Sequence, residues 1–238
     1  MDVDIGKKKR KQFSLVDANT CIIYLARIIG TTEKCLRKLR EYNRQFKKYL
    51  DGAGDNCGKI PYAKYSEYLD KTSNVIGYLL NVIGDAQTSS ISYFKYRKLV
   101  SKLVDKGVAG VSLLPLSHDE TALLQDFNKL RNWHNHIPES LLISERELMD
   151  EGIMVRPMNN PIVLYFNQFM ELDLVIDLYN RNVSFYENAR RIGQAAKKDY
   201  SILIGEPLAI TIEESEAPAP MKSLAATKIS ASIQGLHE

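Results

Sequence analysis

The sequence predicts an all-α helical bundle of five to six helices, followed by a flexible C-terminal tail. Apolar residues recur at spacings of three and four through most of the chain, and helix start and stop signals separate these runs. Almost no segment shows the alternation of apolar and polar residues that is typical of a strand. The chain has 238 residues, of which 45% are hydrophobic and 26% charged, which is enough to build the core of such a bundle.

The two ends of the chain differ from its middle in composition. Residues 7–11 are all basic, so residues 1–12 are interpreted as a basic N-terminal arm. After Gly205 the chain becomes acidic and rich in small residues, so 206–238 are expected to form a flexible tail. The helical domain is therefore assigned to residues 13–205.

Neither a signal segment nor a membrane span is indicated, because no apolar stretch is long enough for either. The cysteines are odd in number and scattered, which is typical of a reducing compartment; they are Cys21, Cys35 and Cys57. We therefore expect a cytoplasmic protein with no membrane partner.

The predicted helices follow in order along the chain. The first runs from Phe13 to Ile29, and Thr31 or Thr32 caps a second helix with a basic outer face. A glycine-rich loop at 52–58 precedes a third helix that begins near Pro61. Further helices are expected at 93–105, from 117 to about 137, at 144–150 and, as the longest periodic run, at 162–204.

The most informative segment is Arg131-Asn132-Trp133-His134-Asn135-His136, near the end of the helix that starts at 117. An arginine can hold a phosphate through its planar fork, and a histidine can exchange a proton near neutral pH. Cleaving RNA by attack of its own 2′-hydroxyl requires a proton carrier and a group that stabilises charge on phosphorus. Arg131 and His136 are therefore the candidate catalytic residues.

Helix geometry refines the assignment of the neighbouring residues. Asn132 and His136 are four residues apart, so Asn132 is placed to orient the imidazole. His134 continues a predicted apolar stripe formed by Leu123, Phe127 and Leu130, which favours packing for His134 over chemistry. Trp133, the only tryptophan, is a candidate for packing or base stacking, and with His134 it is assigned to substrate binding. Neither Arg131 nor His136 is expected on the buried stripe.

Two other interpretations of this segment stay open. An arginine and a histidine on one helix are most often ordinary surface and core residues. His134 and His136 could also share a metal, but no nearby cysteine or carboxylate completes the usual spacing, so no metal or cofactor is assigned. The basic helix faces at 34–48 and 95–106 are usually solvated surfaces, although they would suit a phosphate backbone.

The string Arg131-Asn132-x-x-x-His136 resembles the RNxxxH form of the motif found in HEPN-domain proteins. The resemblance is specific over 131–136 and covers the helical organisation of 13–204. It implies a HEPN-like bundle that forms a homodimer and cleaves RNA without metal, leaving a 2′,3′-cyclic phosphate. By carry-over, His136 is the general acid or base, Arg131 holds the scissile phosphate, and Asn132 orients His136.

The resemblance also implies a biological setting, in which such a ribonuclease acts as a toxin or in phage defence. RNA is then the substrate, and a cognate antitoxin or inhibitor protein would restrain the activity. A second hypothesis is a non-catalytic module of the same fold that binds RNA or protein, and a third is a helical regulator unrelated to the family. The trio of Arg131, Asn132 and His136 favours the ribonuclease, because a scaffold does not need it.

Overall fold

The computed structural model describes residues 13–52, 58–135, 139–152 and 166–212. Its contacts separate a unit of 1–208, which contains all the described helices and strands, from a second unit of 209–238. The elements of the first unit confirm an all-α bundle. They are α1 (Ala18–Gly52), β1 (Lys59–Pro61), α2 (Tyr62–Gly84), α3 (Tyr93–Asp105), α4 (His118–Asn135), α5 (Glu139–Asp150), β2 (Phe169–Glu171) and α6 (Leu172–Ile204).

The first two predicted helices are in fact one continuous helix, α1. The expected cap at Thr31 or Thr32 does not form. The Thr31 hydroxyl instead donates to the carbonyl of Arg27, one turn back, and Thr32 is buried. Thr31 therefore satisfies its hydroxyl inside the helix, and α1 runs on past Gly30 without interruption.

A two-stranded antiparallel sheet is the second difference from the sequence prediction. β1 pairs with β2 in the register Ile60 with Met170, at the starts of α2 and α6. The pairing extends by one bond at each end, from the Tyr62 amide to Gln168 and from the Leu172 amide to Gly58. The long periodic run predicted from 162 thus becomes a strand and then a helix, and α6 begins only at Leu172.

Local signals in the sequence account for the start of α4 and for the ends of α3 and α6. Ser117 and Glu120 form a reciprocal capping box at the start of α4, with amide-to-side-chain distances of 2.9 and 3.1 Å. Gly107 follows α3 and Gly205 follows α6, both with the positive φ angles that glycine adopts without strain.

The main core lies where α1 packs against α2 and α6. Its largest fully buried side chains include Leu25, Ile28, Tyr93, Tyr96 and Phe127. The apolar segment 108–116, whose composition suits a short extended piece or a buried loop, contains no helix or strand, and Val111 in it is buried against this core.

A buried polar cluster joins α3 to α6. The Asp199 carboxylate, 1% exposed, accepts from Nη1 of Arg97 at 2.8 and 3.1 Å and from the Tyr93 hydroxyl at 2.7 Å. It also accepts from the Leu114 amide, and Arg97 Nη2 donates to the Leu114 carbonyl. Burial first, and then the charge of Asp199, raises the pKa of Tyr93, so its hydroxyl stays protonated and keeps donating.

Several sequence predictions fall outside the described residues. They are the basic arm at 1–12, most of the tail at 206–238, and His136 with the end of its helix. In the helices that the structure describes, none is both long and apolar enough to cross a membrane.

Candidate functional site

The position of the motif helix is set by close contact between α2 and α4. A Cβ atom at Gly84 would lie 2.5 Å from the backbone carbonyl of Phe127, and the Asn128 amide group donates to the Gly84 carbonyl at 2.6 Å. Two turns away on each helix, a Cβ atom at Gly77 would lie 2.8 Å from Nε2 of His134. Because the neighbours of Gly84 are backbone atoms, only glycine lets the helices approach this closely there, so Gly84 fixes where the motif lies. At Gly77 the neighbour is the end of an exposed side chain, which can move.

Arg131 lies on the buried face of α4, which corrects the expectation that it lies off that face. Its side chain is 8% exposed, whereas Leu130, predicted in the stripe, is 49% exposed. The buried face follows Leu124, Phe127 and Arg131, a spacing of three and four residues. A buried guanidinium needs a hydrogen-bonding partner of opposite charge. The spacing of apolar residues along the sequence cannot identify that partner.

That partner is Asp85, the residue that ends α2. Nη2 of Arg131 donates to Oδ2 of Asp85 at 3.2 Å, and both side chains are about nine-tenths buried. Nη1 of Arg131 donates to the side-chain oxygen of Asn132 at 3.2 Å. The remaining nitrogen, Nε, is buried and has no hydrogen-bond partner among the described residues. Two acceptors therefore fix the guanidinium, and its Nε is a buried donor that neither of them satisfies.

Asp85 is itself held by the turn that joins α2 to α3. Its Oδ1 accepts from the Gln87 amide at 2.9 Å, and its carbonyl accepts from the Ser92 hydroxyl. The Tyr24 hydroxyl of α1 donates to the Ser90 carbonyl at 3.1 Å and accepts from the Ser92 amide. Burial, more than the nearby Asp85 charge, raises the pKa of Tyr24, which keeps this donor protonated. The carboxylate that orients Arg131 is therefore rigidly placed.

The Arg131 groove is an open cleft of about 420 Å³ between α1, α2 and α4. It holds a second guanidinium, that of the exposed Arg27, which forms no salt bridge within the described residues. Tyr78, 65% exposed, contributes an aromatic ring. The cleft thus holds two cations, Arg27 and the Asp85-paired Arg131, together with polar side chains; its lining is Arg27, Thr31, Tyr78, Asn81, Val82, Asp85, Ser90, Ile91 and Arg131.

The other motif residues fall into two groups. Asn132 is exposed and its amide oxygen is taken by Arg131, and Trp133 is 58% exposed. His134 is exposed, which corrects the expectation that it lies on the apolar stripe, although its Nε2 lies close to Gly77 of α2. His136 lies outside the described residues, so its distance to Arg131 or Asn132 is not defined, and the same holds for a metal shared between His134 and His136. No other group of metal-binding side chains is found within the described ranges.

Sequence reasoning missed Asp85, Arg27 and Tyr78 as members of the site. Asp85 follows Gly84 at a helix end, which is a recognisable stop signal, but nothing in the sequence pairs it with an arginine 46 residues later. No known protein family, no curated protein and no solved structure matches this chain.

Proposed function

We propose that the protein is a metal-independent RNA endonuclease of the HEPN type, which acts by 2′-hydroxyl attack and leaves a 2′,3′-cyclic phosphate. The observation that carries the proposal is the placement of Arg131. Asp85 orients the Arg131 side chain. Arg131 lines a groove that is also lined by a second cation, Arg27. During cleavage the phosphorus passes through a pentacoordinate phosphorane with extra negative charge, and a cation held in place beside it stabilises that charge.

The roles follow from the chemistry of each side chain. His136 moves the proton to or from the reacting oxygens, and Asn132 is the residue expected to orient it. Arg131 contributes a guanidinium that lines the groove, while Arg27 adds a positive charge that Asp85 does not cancel. Trp133 and Tyr78 are exposed rings on which an unpaired base can stack.

The product ends test this mechanism. Purified protein incubated with RNA in EDTA should cleave it and leave 2′,3′-cyclic phosphate ends, which mass spectrometry identifies. DNA of the same sequence should stay intact because it lacks the nucleophile. Ends with a free 3′-hydroxyl, or activity that EDTA abolishes and magnesium or zinc restores, would overturn the mechanism and favour a metal site at His134 and His136.

A homodimer is part of the proposal. Arg131 and Asn132 of one chain offer a phosphate few groups, and a twofold axis would place two copies of the motif around one cleft. The exposed apolar side chains of α4 and α5, namely Leu130, Trp133, Leu142 and Ile143, would suit such an interface. Light scattering at micromolar protein should give about twice the 27.0 kDa chain mass. Full activity from a species of 27 kDa would contradict this prediction.

The cellular role that we propose is a cytoplasmic toxin or phage-defence effector, restrained by an antitoxin or inhibitor protein. This role is supported only by the motif. A gene for a small inhibitor beside that of the ribonuclease would support it.

A second candidate function is a non-catalytic RNA- or protein-binding module of the same fold. The Arg131–Asp85 pair favours this alternative to the extent that a buried ion pair can serve packing alone. The two candidates differ in one measurement, because a binding module retains RNA without producing cyclic-phosphate ends.

A further inference from the structure

A dense array of cations follows the outer surface of α1. The helix carries eight basic residues against three acids, Glu33, Glu41 and Asp51. Arg27, Lys34 and Lys38 share one face, and Arg37, Arg40 and Arg44 continue it along the adjacent face. From Arg27 to Arg44 the array spans about 25 Å at about 1.5 Å per residue. It begins in the Arg131 groove.

The far end of this array is a second groove, of about 350 Å³, between α1 and α6. Arg40, Arg44 and Arg190 line it, together with Tyr179, Tyr186 and Asn43. Nε of Arg40 donates to the Tyr186 hydroxyl at 2.7 Å, and its guanidinium lies 5.5 Å from the centre of that ring. Arg40 forms no salt bridge in the described part of the chain, so its terminal amino groups are held in place for an anion.

Few carboxylates along the array compete for such an anion. Glu33 is paired with Lys197 of α6 at 2.8 Å. Glu41 accepts from Arg44 and Gln45, and Glu187 accepts from Arg190. The Arg44 and Arg190 pairs lie within single helices and are at least half-exposed on the arginine side, so a phosphate can displace the carboxylate at little cost.

We infer that α1, from Arg27 to the groove of Arg40, Arg44 and Arg190, is the binding track for the phosphate backbone of single-stranded RNA. This inference rests on the proposed function, because it assigns the path by which RNA reaches the Arg131 groove. A single strand fits better than a duplex because the exposed ring of Tyr78 at one end is available to an unpaired base. At the other end the half-buried Tyr179, packed against Phe46 and Tyr68, adds an aromatic wall to the groove.

Binding of a ten-nucleotide 2′-O-methyl RNA, followed by fluorescence anisotropy over a salt series, tests the track. Such RNA lacks the nucleophile, so binding is measured apart from cleavage. The variant Arg44→Gln with Arg190→Gln should lower the slope of log affinity against log salt by about 1.4, at about 0.7 per phosphate contact. At about 0.1 M salt this corresponds to roughly 25-fold weaker binding. Both side chains pair only within their own helices, so the fold should persist.

A matched control is Lys98→Gln with Lys102→Gln, which removes the same charge from exposed positions of α3. Its slope of log affinity against log salt should change by much less than that of the Arg44→Gln, Arg190→Gln variant. Arg27→Gln, at the other end of the track, should lower the slope by about 0.7. Arg40→Lys keeps the charge and should leave the slope unchanged while weakening binding, because the bond that orients the fork is lost.

Four results would contradict this binding track. Two concern the variants: RNA affinity falls as much in the α3 control as in the Arg44 and Arg190 variant, or it does not fall in the Arg44 and Arg190 variant. Two concern the ligand: a trinucleotide binds as tightly as the decanucleotide, or stoichiometric inorganic phosphate or a mononucleotide displaces the RNA. The last would define a small-anion site instead. Absence of cleavage with the anisotropy results intact would refute the proposed chemistry and leave the track standing, so the two failures are distinguishable.

Discussion

Replacing His136 with alanine is expected to slow RNA cleavage by at least ~10²-fold, which is the usual contribution of a positioned acid or base. The variant loses the proton carrier but keeps Arg131 and the groove, so RNA binding should persist. Single-turnover cleavage of a labelled RNA in EDTA, with affinity measured in parallel, separates the two effects.

His134→Gln is the matched control for this experiment. His134 contacts Gly77, so its replacement should lower stability or activity only modestly. If His134→Gln abolished cleavage in folded protein as completely as His136→Ala, the catalytic role would belong to His134.

Arg131→Lys should also impair cleavage severely, since lysine keeps the charge but cannot reproduce the fork. Because Arg131 is buried against Asp85, this variant is also expected to be less stable. The sequence pattern placed Arg131 outside the buried face of its helix, and a residue there would not have affected stability. Its rate therefore has to be measured below its own unfolding transition.

Asp199→Ala is expected to cause the largest loss of stability. It leaves the largely buried Arg97 without its carboxylate and removes the acceptor for the Tyr93 hydroxyl. Breaking a buried pair from one side costs about 3–5 kcal/mol. For a domain of this size the unfolding midpoint should fall by roughly 6–20 °C, at about 2–4 °C per kcal/mol.

Asp126→Ala is the control for that measurement. Asp126 forms a 3.6 Å pair with Lys129 on the surface of α4, where both side chains are more than half exposed. Such pairs contribute little to stability, so thermal unfolding should be unchanged. A midpoint for Asp199→Ala equal to that of Asp126→Ala would mean that the α3–α6 cluster does not hold the bundle together.

The sequence was informative where a structural signal depends on neighbouring residues. The capping box of Ser117 and Glu120 and the terminating glycines Gly107 and Gly205 satisfy backbone groups within a few positions, so their patterns predict them directly. The break expected at Thr31 was wrong because a threonine hydroxyl can bond backwards within a helix as well as cap a new one.

The candidate site was predictable only in part for a related reason. The motif identified Arg131, but its ion pair joins residues 46 positions apart, and only the packing of α4 over Gly77 and Gly84 brings them together. The β1–β2 pairing also joins segments that are far apart in the sequence. Strands of three residues contain too few positions for their pattern to be recognised before the partner is known.

That strand pair also has a consequence for the order in which the chain can assemble. It joins Pro61 to Phe169, so it closes a loop of roughly a hundred residues that contains α2, α3, α4 and α5. Closing a loop of that length costs about 4 kcal/mol in chain entropy, more than so short a ladder returns by itself. The ladder is thus expected to form late, once the helices have brought its ends together. Since the chain leaves and returns at one point, the loops within the enclosed segment could change in length without displacing the pairing of α1 with α6.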